Sequence, residues 1–173
     1  MSSVRALVLA PMRRDDLPDV VAIEASTSSR PWSTAAFLTE LDRADRRYLV
    51  AKEPSRGASD VGAGGVGVGA GGVDGAVVGF GGVALLAGDA HVMTVAVAPD
   101  AQRGGVGTAV VHGLLAEAVA AGMTAATLEV RRSNRSARRL YRRVGFREDG
   151  VRPRYYPDGE DAVIMWLRDL RTR

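Results

Sequence analysis

Two rhythms of apolar positions run through the chain. Between Arg13 and Glu24, Leu17, Val20, Val21 and Ile23 return every three or four residues, with Asp15 and Asp16 in what would be the first turn. That spacing predicts an amphipathic helix, and acids at its start suit the helix dipole. A strand over Val4 to Leu9 is expected before it. After Pro31-Trp32, Ser33 is placed to cap a second helix whose apolar face is Phe37, Leu38 and Leu41. Tyr48 to Lys52 reads as a strand, and Val77 to Leu86 with Ala90 to Val97 as two more, turning at Gly88-Asp89 and pairing antiparallel.

The helical rhythm then returns. Gly105 to Ala121 offers Val106, Ala109, Val110, Leu114 and Val119 as an inward face, with Gly122 ending the helix as a left-handed residue would. Thr124 to Val130 has the character of a buried strand. Ser133 or Asn134 caps a further helix carrying Ala137, Leu140, Tyr141 and Val144 on one side and closed by Gly145. Extended chain follows from Phe146, and Val163 to Leu167 makes a last strand. Strands alternating with helices in this order predict a layered α/β domain on a mixed sheet. From about Gly57 to Gly75 the chain is nearly all Gly, Ala and Val, a composition that favours no single backbone conformation, and a flexible hairpin insertion is expected there.

At 173 residues, 46% hydrophobic and 25% charged, one domain over 1–173 can bury roughly 70% of its unfolded surface. No apolar run is long enough to span a bilayer, and the short one before Pro11 does not make a signal peptide, so a cytoplasmic protein without membrane contact is expected. The chain has no cysteine, which excludes disulfides, thiolate metal sites and a cysteine nucleophile. Its two histidines, His91 and His112, are too few for a histidine-rich metal site; no metal is expected, and neither histidine is assigned a role. The net charge is only +3, and Lys52 is the sole lysine, so placement of the arginines matters more than their number.

The segment VAVAPDAQRGGVGTAV joins a strand to a helix through a glycine-rich turn. Amides at a helix start have no acceptor within the helix, and such a junction suits an anion. It lacks the lysine-serine ending of a P-loop and the dinucleotide GxGxxG pattern, and a plain strand-to-helix turn is an equal reading.

With ATLEVRRSNRSARRLYRRVGF downstream, this junction resembles the GNAT acetyltransferases. The resemblance rests on Gln-x-x-Gly-x-Gly at Gln102 to Gly107 and on Asn134, Leu140, Tyr141, Gly145 and Phe146, and covers Ala90 to Phe146 closely. Pro31-Trp32-Ser33, Leu128-Glu129-Val130-Arg131, Arg154-Tyr155-Tyr156-Pro157, Asp161-Ala162 and Ile164-Met165 resemble the RimI type, which acetylates the N-terminal alanine of a small-subunit ribosomal protein. The resemblance implies a mixed sheet of about seven strands flanked by about four helices, acetyl-CoA as co-substrate, a ribosomal-protein N-terminus as substrate and direct transfer in a ternary complex. A monomer with no direct nucleic-acid role is expected.

Residue by residue, the resemblance implies that backbone amides of Val95, Ala96 and Val97 hold the acetyl carbonyl and pantetheine arm, as an added strand would. Arg103, Gly104, Gly105, Val106, Gly107 and Thr108 would hold the pyrophosphate, and Asn134 would touch the cofactor arm. Glu129 would be the general base and Tyr141 the acid beside the coenzyme sulfur. Trp32, Tyr155 and Tyr156 would line the groove for the substrate N-terminus. Read as residues alone, each has a plainer alternative: a salt bridge to Arg131, Arg132 or Arg154 for Glu129, core packing for Tyr141, capping for Asn134, and a staple on the second helix for Trp32. Arg135, Arg138, Arg139, Arg142 and Arg143 form a basic helix face whose plainest reading is solvation. A small-molecule amine acetyltransferase and a non-catalytic acyl-CoA sensor are the alternative functions.

Overall fold

The computed structural model describes residues 6–54, 66–68 and 75–170. Their strands form one mixed sheet: β1 (Leu7–Pro11), β2 (Arg46–Pro54), β3 (Val66–Val68), β4 (Gly75–Leu86), β5 (Asp89–Val97), β6 (Ala125–Arg131), β7 (Arg147–Arg152) and β8 (Ala162–Leu167). The strand order is β3-β1-β2-β4-β5-β6-β8-β7. Four α-helices flank it: α1 (Leu17–Thr27), α2 (Thr34–Leu41), α3 (Val106–Ala120) and α4 (Arg135–Val144). The strand beyond the expected seven is β3, three residues of the glycine-rich stretch that pair parallel with β1. Residues 57–65 and 69–74, on which the expected hairpin insertion falls, lie outside the described residues.

Each sheet face carries its own apolar layer. On one side α3 and α4 cover Leu9, Leu49, Val83, Val92, Leu128 and Met165; on the other α1 and α2 cover Met12, Tyr48, Val50 and Phe80. The helix α3 turns Val106, Val110, Val111, Leu114, Leu115 and Ala118 to the sheet, whereas Val119, expected inside, is 41% exposed. At ~100° per residue Val119 stands about 130° round from the middle of that stripe. Pro18 sets the start of α1 later than the spacing suggested: it occupies the first turn, where its missing N–H is not needed, and a 3-10 turn over Arg14–Asp16 precedes it. The β4–β5 turn sits on Ala87 and Gly88, both at positive φ, so that Leu86 pairs with Asp89, one residue earlier than expected.

Side-chain caps open two of the helices. Ser33 Oγ accepts the Ala36 amide at 3.2 Å to open α2, with Trp32 stapled against Phe37 at 5.5 Å between ring centroids. Ser33→Ala is expected to lower stability by about 1 kcal/mol in chemical unfolding while leaving the fold unchanged. Asn134 Oδ1 accepts the Ala137 amide at 3.0 Å and opens α4, which Gly145 closes at φ 115°.

Candidate active site

The β5–β6 ladder is parallel and short. It joins Asp89, Ala90 and His91 to Ala125, Ala126 and Thr127; beyond that rung the strands part. From Val92 onward β5 keeps its β4 partner, with a bulge near Met93, but its other edge has no strand beside it among the described residues. Backbone N–H and C=O groups on that edge are open to an extended ligand. The gap widens into a cleft of about 1090 Å³ lined by residues of β5, β6, α3 and α4 and of the α1–α2 region.

Val95, Ala96 and Val97 all line this cleft. Val95 and Val97 also pack on the α3–α4 core and Ala96 on the α1–α2 core, so the side chains are spent on the interior and the backbone remains for a ligand. At the strand-to-helix junction Arg103 takes φ 64° and Gly105 φ 85°, which turns the chain so that α3 starts against the cleft. Within α3 the Ala109 amide reaches Gly105 O at 3.0 Å, so the amides of Val106, Gly107 and Thr108 have no helical acceptor. Arg103, Gly105, Gly107 and Thr108 border the cleft; Gly104 and Val106 belong to the turn without bordering it.

The two glycines have different duties. A Cβ on Gly105 would meet nothing within 4 Å, so glycine is required there by its positive φ. A Cβ on Gly107 would come within 3.0 Å of Leu140 Cδ1, so this glycine lets α3 sit closely on α4.

Glu129 comes from the far wall, on β6, with its side chain only 7% exposed. Its partners are not the arginines expected: Arg131 pairs with Asp158 and Glu160, and Arg132 with Asp161, while the Arg154 amide bonds to Asp161. Instead Oε1 lies 3.4 Å from an Arg152 guanidinium nitrogen and Oε2 lies 2.8 Å from His91 Nε2. The latter approach is close but out of line for a hydrogen bond, and Oε2 is enclosed with no aligned donor among the described residues. Nothing in the order of residues signals the His91 contact, because it depends on β5 and β6 being neighbours in a parallel register.

Tyr141 reaches the same cleft from α4, its ring edge-on to Phe146 at 5.8 Å. Burial, with a smaller contribution from Tyr156, pushes its hydroxyl up to about 12, so it stays protonated at neutral pH. Asn134 borders the cleft while capping α4, and Trp32 borders it while stapling α2. Tyr156 lines the cleft beneath the Arg131 guanidinium, 4.0 Å from the ring centroid. Its loop is clamped to the start of α4 by Glu160, whose carboxyl is held down at about 2 by hydrogen bonds from Ser133 and then from Arg131. Tyr155 is exposed and does not border the cleft, standing edge-on to Tyr156. Of the two tyrosines expected to line the groove, the structure puts Tyr156 on this cleft and Tyr155 beside it, against Arg152 at 5.6 Å.

Of the basic face on α4, Arg138 and Arg142 pair with Glu148, while Arg139 and Arg143 border the cleft. Glu24, not singled out from the sequence, is buried on α1 beside the cleft and accepts the Trp32 amide at 3.4 Å. Burial raises its pKa, against hydrogen bonds from Trp32 and Ser28 that lower it. Among the described residues no cluster of metal-ligating side chains is present, and no helix is long and apolar enough to cross a membrane.

A mixed sheet whose central parallel strands part over a glycine-rich helix start, with an acid and a phenol converging on the gap, is the framework of an acyl-group transferase. Residues 17–146 match the acetyltransferase (GNAT) family, and the chain belongs to that family as an acetyl-CoA-dependent N-acetyltransferase. It is 32% identical over 162 residues to the ribosomal protein bS18-alanine N-acetyltransferase of Escherichia coli K12, covering 92% of this chain and 95% of that one. The crystal structure of the Escherichia coli ribosomal-protein-S18-alanine N-acetyltransferase matches with a TM-score of 0.73 at 29% identity, over 94% of both chains. The NatC complex bound to Gag peptide and CoA shares the fold, with a TM-score of 0.74 at 15% identity over 94% of this chain and 98% of that one.

Proposed function

We propose that this chain acetylates the N-terminal α-amino group of a protein, with the alanine of a small-subunit ribosomal protein as substrate. The observation that carries the reading is the convergence of Glu129 from β6 and Tyr141 from α4 on the cleft beside the open β5 edge. The likeness to the bS18-alanine acetyltransferase over nearly the whole of both chains supports the choice of substrate.

Acetyl-CoA supplies the activated acetyl thioester. The open edge at Val95 to Val97 fits its extended arm, and amides there would stabilise charge developing on the carbonyl oxygen, worth on the order of 3 kcal/mol per donor in other enzymes. The uncapped amides of Val106, Gly107 and Thr108 with Arg103 fit a diphosphate. Asn134, its capping oxygen engaged, still has its amide N–H groups to offer the arm.

An α-amino group of pKa about 8 arrives mostly protonated at neutral pH and cannot attack in that form. Glu129, nearly enclosed and facing the cleft, accepts its proton, directly or through one water. Tyr141 donates a proton to the departing sulfur. Trp32 and Tyr156 wall the cleft where the substrate N-terminus would lie. A ribosomal substrate places the activity in the cytoplasm.

The test is mass-spectrometric detection of acetyl transfer to three peptides: one led by a free alanine, one led by another free residue, and one with a blocked N-terminus and an internal lysine. Acetylation confined to the alanine-led peptide is expected. Transfer to none of them, with acetyl-CoA still bound, would replace the protein N-terminus by a small-molecule amine or leave a non-catalytic sensor.

A further inference from the structure

The arginines of α4 stand in two rows, one position apart and so about 100° round the helix. Arg138 and Arg142, one turn apart, both pair with Glu148 of β7. Arg135, Arg139 and Arg143 make the second row, all exposed and with no ion pair among the described residues. Like charges one turn apart work against a helix. The helix dipole favours a base at Arg143, in the last turn, but gives no reason for Arg139 in the middle. Of this row, Arg139 and Arg143 border the cleft and Arg135 does not.

We infer that Arg139 and Arg143 bind the 3′-phosphate of acetyl-CoA, and so make the enzyme prefer CoA-borne acetyl groups to donors without that phosphate. The inference rests on the cleft as the acetyl-CoA site. Leu140, between the two arginines, fixes where they stand. Its Cδ1 lies against Gly107, at the point where an added Cβ would come within 3.0 Å. The arginine edge of α4 therefore adjoins the first turn of α3, whose uncapped amides fit a diphosphate together with Arg103.

CoA carries a third phosphate one ribose away from that diphosphate. As a monoester it holds a charge of about −1.5 to −2 at neutral pH. Two guanidiniums beside the diphosphate place, without an acid of their own, match that charge, and their planar forks match phosphate oxygens. A phosphate between them also relieves their mutual repulsion. Arg131 borders the cleft as well, but Asp158 and Glu160 already take up its charge.

The test is calorimetric binding of acetyl-CoA and of acetyl-3′-dephospho-CoA, with no peptide present. Wild type is expected to bind the dephospho compound about tenfold more weakly, a modest factor because the arginines are exposed. The gap should narrow as ionic strength rises. Arg139→Gln/Arg143→Gln is expected to lose the preference, binding both compounds as wild type binds the dephospho one. Arg135→Gln/Arg142→Gln removes as much charge from the same helix away from the cleft, and should keep the preference. All four side chains are exposed, so neither variant opens the core. Equal binding of both compounds by wild type would overturn the inference. So would a preference that survives in Arg139→Gln/Arg143→Gln, or one lost equally in both variants. The two readings fail differently: if wild type binds neither compound, the cleft is not the acetyl-CoA site, whereas acetyl-CoA binding indifferent to the 3′-phosphate removes only the role of the two arginines.

Discussion

Glu129→Gln is expected to lower kcat/KM for an alanine-led peptide by about 10²–10³ at pH 7, in the range of general-base effects. The substitution keeps the shape and the place on β6 but removes the proton acceptor. The loss should fall mainly on kcat, because in the proposed role the residue meets the reacting amine rather than the bulk of either substrate. It should narrow as pH rises past the amine's pKa of about 8, where a growing share of substrate needs no deprotonation before attack. Acetyl-CoA binding, measured by calorimetry, should stay close to wild type, since the proposed reading puts the arm along β5 and the diphosphate at α3. An unchanged rate at pH 7 would return Glu129 to a structural role between His91 and Arg152.

Phe37→Ala is expected to cost about 3–5 kcal/mol, a large part of the 5–15 kcal/mol that holds a typical domain together. The ring is fully enclosed and contacts three others: Trp32 at 5.5 Å, Tyr48 at 6.4 Å and Phe80 at 5.6 Å between centroids. It is the fixed point on which the α1–α2 wall of the cleft rests. Denaturant unfolding should show the loss, and the peptide KM should rise as Trp32 loses its support. Val119→Ala on the exposed side of α3 should stay within about 0.5 kcal/mol of wild type, as surface changes do. A Phe37→Ala protein as stable as that control would mean that the aromatic cluster does not hold α2 to the sheet.

Several parts of the site were legible because local chemistry decided them. Ser33 and Asn134 cap the helices their neighbours imply, and Gly122 and Gly145 close α3 and α4 at positive φ, as glycine at those two places suggested. Glu129 on a strand and Tyr141 on a helix were readable as a pair only through the family resemblance, since twelve positions and a change of element separate them. The sequence did not show which side chains face the cleft where the deciding partner is remote. Tyr155 and Tyr156 are adjacent, yet only one lines the cleft, because the Arg131 stack and the Glu160 clamp fix which ring turns inward.

Side-chain spacing and residue counts, read along the chain, were enough for the order of most strands and helices, the capped ends and the absence of cysteine chemistry. Each of these is settled within a few neighbouring residues. Folding in three dimensions was needed to set where β5 and β6 part, which edge of β5 is left open, and that His91 and Arg152 rather than Arg131, Arg132 or Arg154 meet the Glu129 carboxylate. Those facts depend on strand order and register. Strand pairing joins residues far apart in the chain, and shifting it by one residue would turn every one of those side chains to the other face of the sheet.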